Sequence, residues 1–304
     1  MVVYAALAVV LAFLDHRVRR FPQHVVTEYI PSVLSGTSGA PAKYRVLMPV
    51  TLDRFTEWSG ADPYTLFLIV EVLSILLALV ALHVLLRSWF SPRTALAGVA
   101  AAAALLPITF TNSWAHPDTF PDLALFALGC HFVVQQRALP LAGVLLVGML
   151  NRETTGFLLL FWTLAHWRTV RTTGGAATLL LLFAVCAGVY LTLRWARGWE
   201  TYRLVMIAEN LQMLKVLPPG FDPYTRVAGY FWLVLLGPST FFAWRGLRRP
   251  GAPPIFRASL VTAATFFVVA WLFAAIIEVR VLVPLVPLVL PAALYYAAEP
   301  EARA

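Results

Sequence analysis

A charged pair interrupts one of the most apolar stretches of the chain. Arg152 and Glu153 lie in the middle of residues 138–167, which are otherwise largely apolar. A guanidinium keeps its proton and presents a planar fork of N–H donors that fits a phosphate. Ionisable groups at membrane depth normally face a partner or a water-filled cavity. The pair therefore predicts either an anion-binding site, in which Glu153 orients the fork of Arg152, or a structural ion pair.

The length of this stretch allows two geometries. Each apolar half has about a dozen residues, whereas a helix needs roughly 20 to cross the bilayer core. One long helix would carry the pair at mid-membrane, and two short helices would carry it at the apex of a hairpin. Arg137 lies at one end and Arg168 and Arg171 at the other, and the positive-inside rule puts all three in the cytoplasm. This favours a hairpin with its apex on the outer side.

Composition predicts a polytopic membrane protein. Of the 304 residues, 60% are hydrophobic and 12% are charged, and the mean hydropathy is +0.78; soluble domains have about 25% charged residues. The formal charge of +8 is better explained by arginines in short cytoplasmic turns than by nucleic acid. Cys130 and Cys186 lie in apolar segments, so neither a disulfide framework nor a thiolate metal site is expected.

The alternation of apolar and polar segments predicts an all-α bundle of about ten membrane-crossing helices, with residues 1–304 as one transmembrane domain in the plasma (cell inner) membrane and both termini cytoplasmic. Residues 15–63 form a first outer loop, in which the amphipathic residues 44–58 predict a helix lying in the interface. Residues 194–226 form a second outer loop. Arg17, Arg19 and Arg20 disagree with this arrangement because they would lie outside.

Nine arginines then fall in the cytoplasmic turns, where acidic residues are absent: Arg87, Arg93, Arg137, Arg168, Arg171, Arg245, Arg248, Arg249 and Arg257.

The predicted outer face collects ionisable residues of both signs, and all of them except Glu28 are the candidate substrate-binding residues. They are Glu28, Lys43, Arg45, His116, Asp118, Asp122, Arg152, Glu153, Glu278 and Arg280. Arginines beside carboxylates suit an enzyme that handles a lipid phosphate, because the guanidinium groups bind the phosphate and a carboxylate takes a proton. Solvated loop charges or local ion pairs are the alternative for any single residue.

Four segments resemble those of the GT-C superfamily of membrane glycosyltransferases. LAGVLLVGMLNRETTGFLLLFW (residues 141–162) resembles the family's short glycine-containing helix that ends in a basic residue at the outer face. HPDTFPDLALFALG (116–129) is similar to its loop before the fourth helix, and RVLVPLVPLVLPAAL (280–294) to its late helix with spaced prolines. EYIPSVLSG (28–36) followed by YRVLMP (44–49) resembles the first outer loop of many bacterial members.

The resemblance implies transfer of a sugar from a polyprenyl-phosphate donor to a glycan or lipid acceptor at the outer face, with a carboxylate of the first loop as general base. Mapped onto this chain, the base is Glu28, with Asp15 as the second candidate because the family usually has an aspartate or an acidic pair near the end of the first helix. Arg152 and Arg280 would then hold the donor phosphate. Some members use a divalent metal, for which His116, Asp118 and Asp122 offer few oxygen ligands, so no metal or other cofactor is expected.

Two other classes of protein share these features. A transporter or flippase for a lipid-linked or anionic solute could use the same arginines and carboxylates, although no internal repeat is evident. A non-catalytic membrane subunit is the third alternative. No Walker A, G-x-S-x-G, H-E-x-x-H or G-x-G-x-x-G pattern occurs in a suitable context, which argues against a nucleotide-driven pump, a triad hydrolase or a zincin.

Overall fold

The computed structural model describes residues 1–18, 23–110, 116–200, 206, 210, 230–274 and 278–298. Throughout these residues the regular structure is helical, without a strand. The thirteen α-helices that are bounded within them are α1 Val2–Val18, α2 Ile30–Ser35, α3 Leu47–Ser59, α4 Pro63–Leu86, α5 Pro92–Leu105, α6 Thr119–Val134, α7 Ala138–Asn151, α8 Phe157–Ala165, α9 Trp167–Val170, α10 Thr173–Arg197, α11 Phe231–Leu247, α12 Ile255–Phe273 and α13 Val286–Ala297. A π-helix, Val25–Tyr29, precedes α2, and 3₁₀ turns include Leu106–Phe110, Glu153–Gly156 and Val279–Leu285.

Five helical segments are long and apolar enough to cross a membrane. They are Pro63–Leu86, Pro92–Phe110, Thr173–Arg197, Ile255–Phe273 and Val279–Ala297. Three shorter apolar helices accompany them: Thr119–Val134, Ala138–Asn151 and Glu153–Ala165. The predicted all-α architecture with apolar spanning helices is therefore confirmed at this level.

Local sequence signals explain where the long helices begin. The Asp62 carboxylate accepts a hydrogen bond from the Thr65 backbone N–H at the start of α4, and Ser91 accepts one from Thr94 at the start of α5. Proline occupies the first position of both helices, where its missing N–H costs nothing. These caps place the starts of the two helices three residues earlier than hydropathy alone predicts.

The turns at one end of the bundle come together, and we call this the arginine end. A polar cavity there is lined by residues of four connections, among them Ser88, Gln135, His166 and Pro254. The nine arginines of the predicted cytoplasmic turns lie in or beside these connections and the start of α10. Arg45, Asp118 and Arg152, which were assigned to the outer face, contact one another at the other end of the bundle.

The chain breaks at Arg152 into two short helices, as predicted. Arg152 leaves α7 in an extended conformation (φ −155°, ψ 136°), and α8 begins five residues later. His166, next to the end of α8, contacts the Val133 carbonyl at the end of α6 through Nε2, at 2.8 Å. Because α7 begins only five residues after Val133, α7 and α8 form a hairpin with Arg152 at its apex.

The first outer loop begins later in the chain than predicted. α1 extends to Val18, so Asp15 is a buried helical residue. The predicted amphipathic helix is present as α3, which buries Met48 and Leu52 while Phe55 and Trp58 are exposed. Arg194 likewise belongs to α10, and most of the second predicted loop, like Arg19 and Arg20, lies outside the described residues.

Candidate anion-binding site

Asp118 is the centre of a buried charged cluster at the end of the bundle opposite to the arginine end. Its Oδ2 accepts hydrogen bonds from Arg152 Nε at 2.6 Å and from Arg45 Nη1 at 3.1 Å. Asp118 precedes the first residue of α6, Arg152 is the hairpin apex, and Arg45 directly follows the 3₁₀ turn Ala42–Tyr44. Burial opposes ionisation, but Arg152 and Arg45 outweigh it and hold the pKa of the Asp118 carboxyl well below its usual range. Asp118 is therefore an anion.

Asp122 lies one helical turn beyond Asp118 and faces the same guanidinium. Arg152 Nη1 contacts Asp122 Oδ2 at 3.4 Å, while the other oxygen of Asp122 has no hydrogen-bond partner among the described residues. Asn151 Nδ2 donates to the Asp118 backbone carbonyl at 3.0 Å and so ties the hairpin to the start of α6. Each carboxylate thus keeps one oxygen without a hydrogen-bond partner among the described residues, but Asp118 is held by two arginines and Asp122 by Arg152 at the longer distance.

Arg280 brings a third guanidinium to the cluster. It is 3% exposed, and its Nη2 donates to Glu278 at 2.5 Å. Its Nε and Nη1 have no partner in the part of the chain that the structure describes, and the same is true of Arg152 Nη2. Buried donors are normally satisfied, because leaving a charged one unpaired is costly. Three unfilled guanidinium nitrogens therefore indicate a place for an anionic ligand.

Two uncharged side chains complete the cluster. The rings of Tyr29 and His116 meet edge to face with 4.8 Å between centroids. Burial, followed by Arg280, lowers the pKa of His116 well below its ordinary value despite the nearby Asp118. Burial and Asp118 raise the pKa of Tyr29 to about 12. A neutral imidazole and a phenol that keeps its proton can therefore donate hydrogen bonds to a bound anion without adding charge.

A set of contacts that we call the clasp fastens the first loop to the end of α10. Lys43 Nζ donates to Glu200 at 2.8 Å, and Tyr44 Oη donates to the Gly198 carbonyl at 2.8 Å and accepts from the Glu200 N–H at 3.0 Å. The Arg194 guanidinium lies 4.3 Å from the centroid of the Tyr44 ring and also contacts Glu153 at 3.3 Å. The clasp thereby fixes the backbone next to Arg45 and joins it to the residue after the hairpin apex.

The structure brings together most of the residues that the sequence singled out. Seven of the predicted substrate-binding residues make the cluster: Arg45, His116, Asp118, Asp122, Arg152, Glu278 and Arg280. Lys43 and Glu153 belong to the clasp. Glu153 contacts Arg194, and the carboxylate partners of Arg152 are Asp118 and Asp122, so the expected pairing of Arg152 with Glu153 is wrong. The chain turns sharply between Arg152 and Glu153, so Arg152 contacts Asp118 and Asp122 at the start of α6 and Glu153 contacts Arg194 of α10.

The two predicted bases lie elsewhere. The Glu28 side chain is 70% exposed and contacts His24 Nδ1 at 3.0 Å, although the adjacent Tyr29 is buried in the cluster. Asp15 is buried in α1. Neither carboxylate makes a hydrogen bond to the charged side chains of the cluster. Their proposed role in catalysis stays a prediction.

Sequence reasoning overlooked three residues that form the site or its support. Tyr29 directly follows the predicted base Glu28, and Tyr44 begins the predicted amphipathic segment. Arg194 was placed at a loop boundary, yet it is 2% exposed. Its position directly after a long apolar run was a signal that it could be buried, whereas nothing in the sequence distinguishes Tyr29 from other aromatic residues near a membrane surface.

Within the described ranges, no group of three or more His, Cys, Asp or Glu side chains is placed to hold a metal ion. No family model, no curated protein and no solved structure matches this chain.

Proposed function

We propose that this protein is an integral membrane glycosyltransferase that uses a polyprenyl-phosphate-linked sugar as donor. The observation that carries the proposal is the set of unfilled donors on Arg152 and Arg280, buried beside two carboxylates at one end of a helical bundle. This arrangement suits a phosphate carried by a lipid, because the lipid chain can stay in the bilayer while the head group enters the cluster. The ten crossings and the outer location of the cluster belong to the same proposal.

In the proposed reaction, a hydroxyl oxygen of the acceptor attacks the anomeric carbon of the donor sugar. The bond from that carbon to the phosphate oxygen breaks, and polyprenyl phosphate leaves with the electron pair. The arginines hold the phosphate and neutralise the charge that develops on it. A carboxylate takes the hydroxyl proton. Attack opposite to the leaving group inverts the anomeric configuration.

Two carboxylates are candidates for the base, for different reasons. Asp118 and Asp122 each have one oxygen without a partner among the described residues, but Asp118 is held by two guanidinium groups, whereas Asp122 is contacted by Arg152 alone, at 3.4 Å. Glu28 is supported by the resemblance of residues 28–36 to the first loop of the glycosyltransferase family, and its exposed side chain is open to an acceptor from solvent. Geometry favours Asp122, and we assign it the role of base in the proposal.

The test is consumption of the donor by the purified full-length protein in detergent, where no membrane gradient exists. A panel of polyprenyl-phosphate hexoses and pentoses is offered with a mixture of membrane glycolipids as acceptors, and release of polyprenyl phosphate is followed by mass spectrometry. We expect release with at least one donor, and loss of release in Arg280→Gln. Tight binding of polyprenyl phosphate without turnover of any donor would contradict the enzyme and favour a transporter. Absence of both would remove the phosphate site.

A further inference from the structure

Helices α11 and α12 diverge and leave a deep apolar groove between them. The two helices are joined by a short turn at the arginine end, but α11 packs along α13 while α12 packs against α8 and α13. The groove has a volume of about 920 Å³. Its walls include Trp232 and Phe241 of α11 and Phe267 of α12, and Leu285 forms part of the floor. Its size and apolar lining suit a hydrocarbon chain.

The mouth of this groove at the arginine end is basic. Arg257, in the first turn of α12, lines the groove. The Arg248 guanidinium lies 3.7 Å from the ring centroid of Trp244, which also lines it. Both arginines are exposed, and neither forms an ion pair among the described residues. Residues 230–274 contain no acidic residue. The positive charge at the mouth is therefore uncompensated by this part of the chain.

The other two arginines of the turn, Arg245 and Arg249, contact the end of α13. Arg249 Nη1 donates to the Tyr295 carbonyl at 3.3 Å, and both Arg245 and Arg249 lie within 6 Å of the Tyr296 ring, at 5.5 and 5.3 Å from its centroid. These contacts fasten α11 to the end of α13. Arg248 and Arg257 are left beside the groove, so the turn divides its charges between a structural contact and an open basic mouth.

We propose that the groove binds one anionic phospholipid, with its phosphate held by Arg248 and Arg257 and an acyl chain lying between α11 and α12. The wall from Trp232 to Leu247 is about 22 Å long at 1.5 Å per residue, which is long enough for an acyl chain that starts at the arginine end. Basic pockets between membrane helices favour anionic head groups, and the Trp244 ring offers an interfacial contact. The donor of the proposed reaction is a different ligand, because the cluster that would hold its phosphate lies at the opposite end of the bundle.

The binding is tested by native mass spectrometry of the full-length protein, freed of lipid and titrated with phosphatidylglycerol or with zwitterionic phosphatidylcholine. We expect one phosphatidylglycerol to bind at least tenfold more tightly than phosphatidylcholine. The double variant Arg248→Gln, Arg257→Gln should lose this tenfold preference. The double variant Arg93→Gln, Arg168→Gln removes the same charge from other exposed positions of the arginine end, and it should bind phosphatidylglycerol as the unaltered protein does.

A second pair of variants tests where the acyl chain binds, without changing the charge of the protein. Gly237 lines the groove and a side chain there meets no atom within 4 Å, and the same space exists at Gly188 on the exposed face of α10. Gly237→Leu should weaken phosphatidylglycerol tenfold or more, whereas Gly188→Leu should not. Unchanged affinity in Gly237→Leu, or in the Arg248 and Arg257 double variant, would overturn the proposal. So would a site that takes polyprenyl phosphate in preference to phosphatidylglycerol.

Discussion

Asp118 and Arg280 have opposite roles at the scale of single residues. Asp118 accepts from two guanidinium groups through one carboxylate oxygen, so it holds the cluster together. Arg280 is equally buried but keeps two nitrogens without partners among the described residues. The desolvation of its charge is therefore only partly offset by Glu278, and this is why the proposal assigns an anion to Arg280.

The first prediction concerns Arg152. Arg152→Lys keeps the charge but loses the planar guanidinium. In the unaltered protein Nε of that group donates to Asp118, and Nη2 has no partner among the described residues and can meet a phosphate. We expect the affinity for decaprenyl phosphate to fall about tenfold or more, corresponding to one charge-assisted hydrogen bond of roughly 1.5 to 3 kcal/mol. Binding is measured by titration in detergent.

Arg152→Ala tests how much Arg152 contributes to the stability of the fold. It leaves buried Asp122 without an arginine partner and Asp118 with Arg45 alone, so we expect a loss of stability of about 3 to 5 kcal/mol. Thermal denaturation in detergent measures this loss. Adding Asp122→Asn should restore part of the stability. Arg54→Ala is the control, because among the described residues the exposed Arg54 pairs with exposed Glu57 and such pairs contribute under about 1 kcal/mol. Unchanged decaprenyl phosphate affinity in Arg152→Lys would exclude Arg152 from the site.

The second prediction separates the candidate bases. Asp122→Asn keeps the shape of the side chain but removes its capacity to take a proton, so we expect turnover to fall about a hundredfold or more. Glu28→Gln and Asp15→Asn should retain most of the activity, because neither side chain contacts the cluster. Initial rates of donor consumption provide the measurement, with decaprenyl phosphate binding as a check that the site is intact. Loss in Glu28→Gln alone would transfer the role to Glu28, as the family resemblance implies.

The third prediction is a pH dependence that originates at His116. Because the folded protein holds the pKa of His116 below its ordinary value, the imidazole of the unfolded chain takes up a proton first as the pH falls. Stability should be constant well above about 6.5 and decrease below it, by at most about 1.4 kcal/mol per pH unit. Thermal denaturation between pH 8 and 5 measures this. His116→Gln should remove that part of the slope, and an identical slope in this variant would contradict the assignment.

At the scale of elements, the hairpin α7–α8 depends on a close approach between its two sides. A side chain at Gly148 would place its Cβ 2.4 Å from Thr155 Cγ2. That approach lets the chain reverse within a few residues, and the sharp turn at Arg152 directs the guanidinium toward Asp118. The same reversal explains why the neighbouring Glu153 contacts α10.

The fourth prediction uses two glycines of the same helix. Gly148→Ala should destabilise the protein by about 1 to 3 kcal/mol, the usual cost of overpacking. Gly143→Ala should be neutral or stabilising by up to about 1 kcal/mol, because nothing lies within 4 Å of its Cβ position and alanine is the better helix former. Both are measured by thermal denaturation in detergent. Equal stability of the two variants would show that the apex is not tightly packed.

The hairpin and its apex could be predicted from the sequence, because half-length apolar runs flanked by arginines leave few alternatives in a bilayer. The pairing of charges could not. Arg152 and Asp118 are 34 positions apart, and hydropathy reports how deep a residue lies without specifying which helix packs beside it. The clasp was equally hidden, since it depends on the Tyr44 hydroxyl meeting backbone groups at Gly198 and Glu200.

At the scale of the whole molecule, the alternation of helices puts the cluster and the nine arginines at opposite ends. The fifth prediction is that a cysteine in place of the exposed Ser59 reacts from outside the cell with a membrane-impermeant thiol reagent, whereas one in place of the exposed Thr169 does not. Cys130 and Cys186 are buried and should give little background. Mass tagging of intact cells measures the reaction. Labelling at Thr169 but not Ser59 would mean that the cluster faces the cytoplasm.

The order of residues in the cluster has a consequence for biosynthesis. Arg45, Asp118, Asp122 and Arg152 are all made before residue 153, and together they contain two positive and two negative charges. Glu278 and Arg280 arrive more than a hundred residues later and carry their own counter-charge. Each set is therefore electrically balanced by itself when it is synthesised, and Glu278 and Arg280 follow a set whose charges already sum to zero.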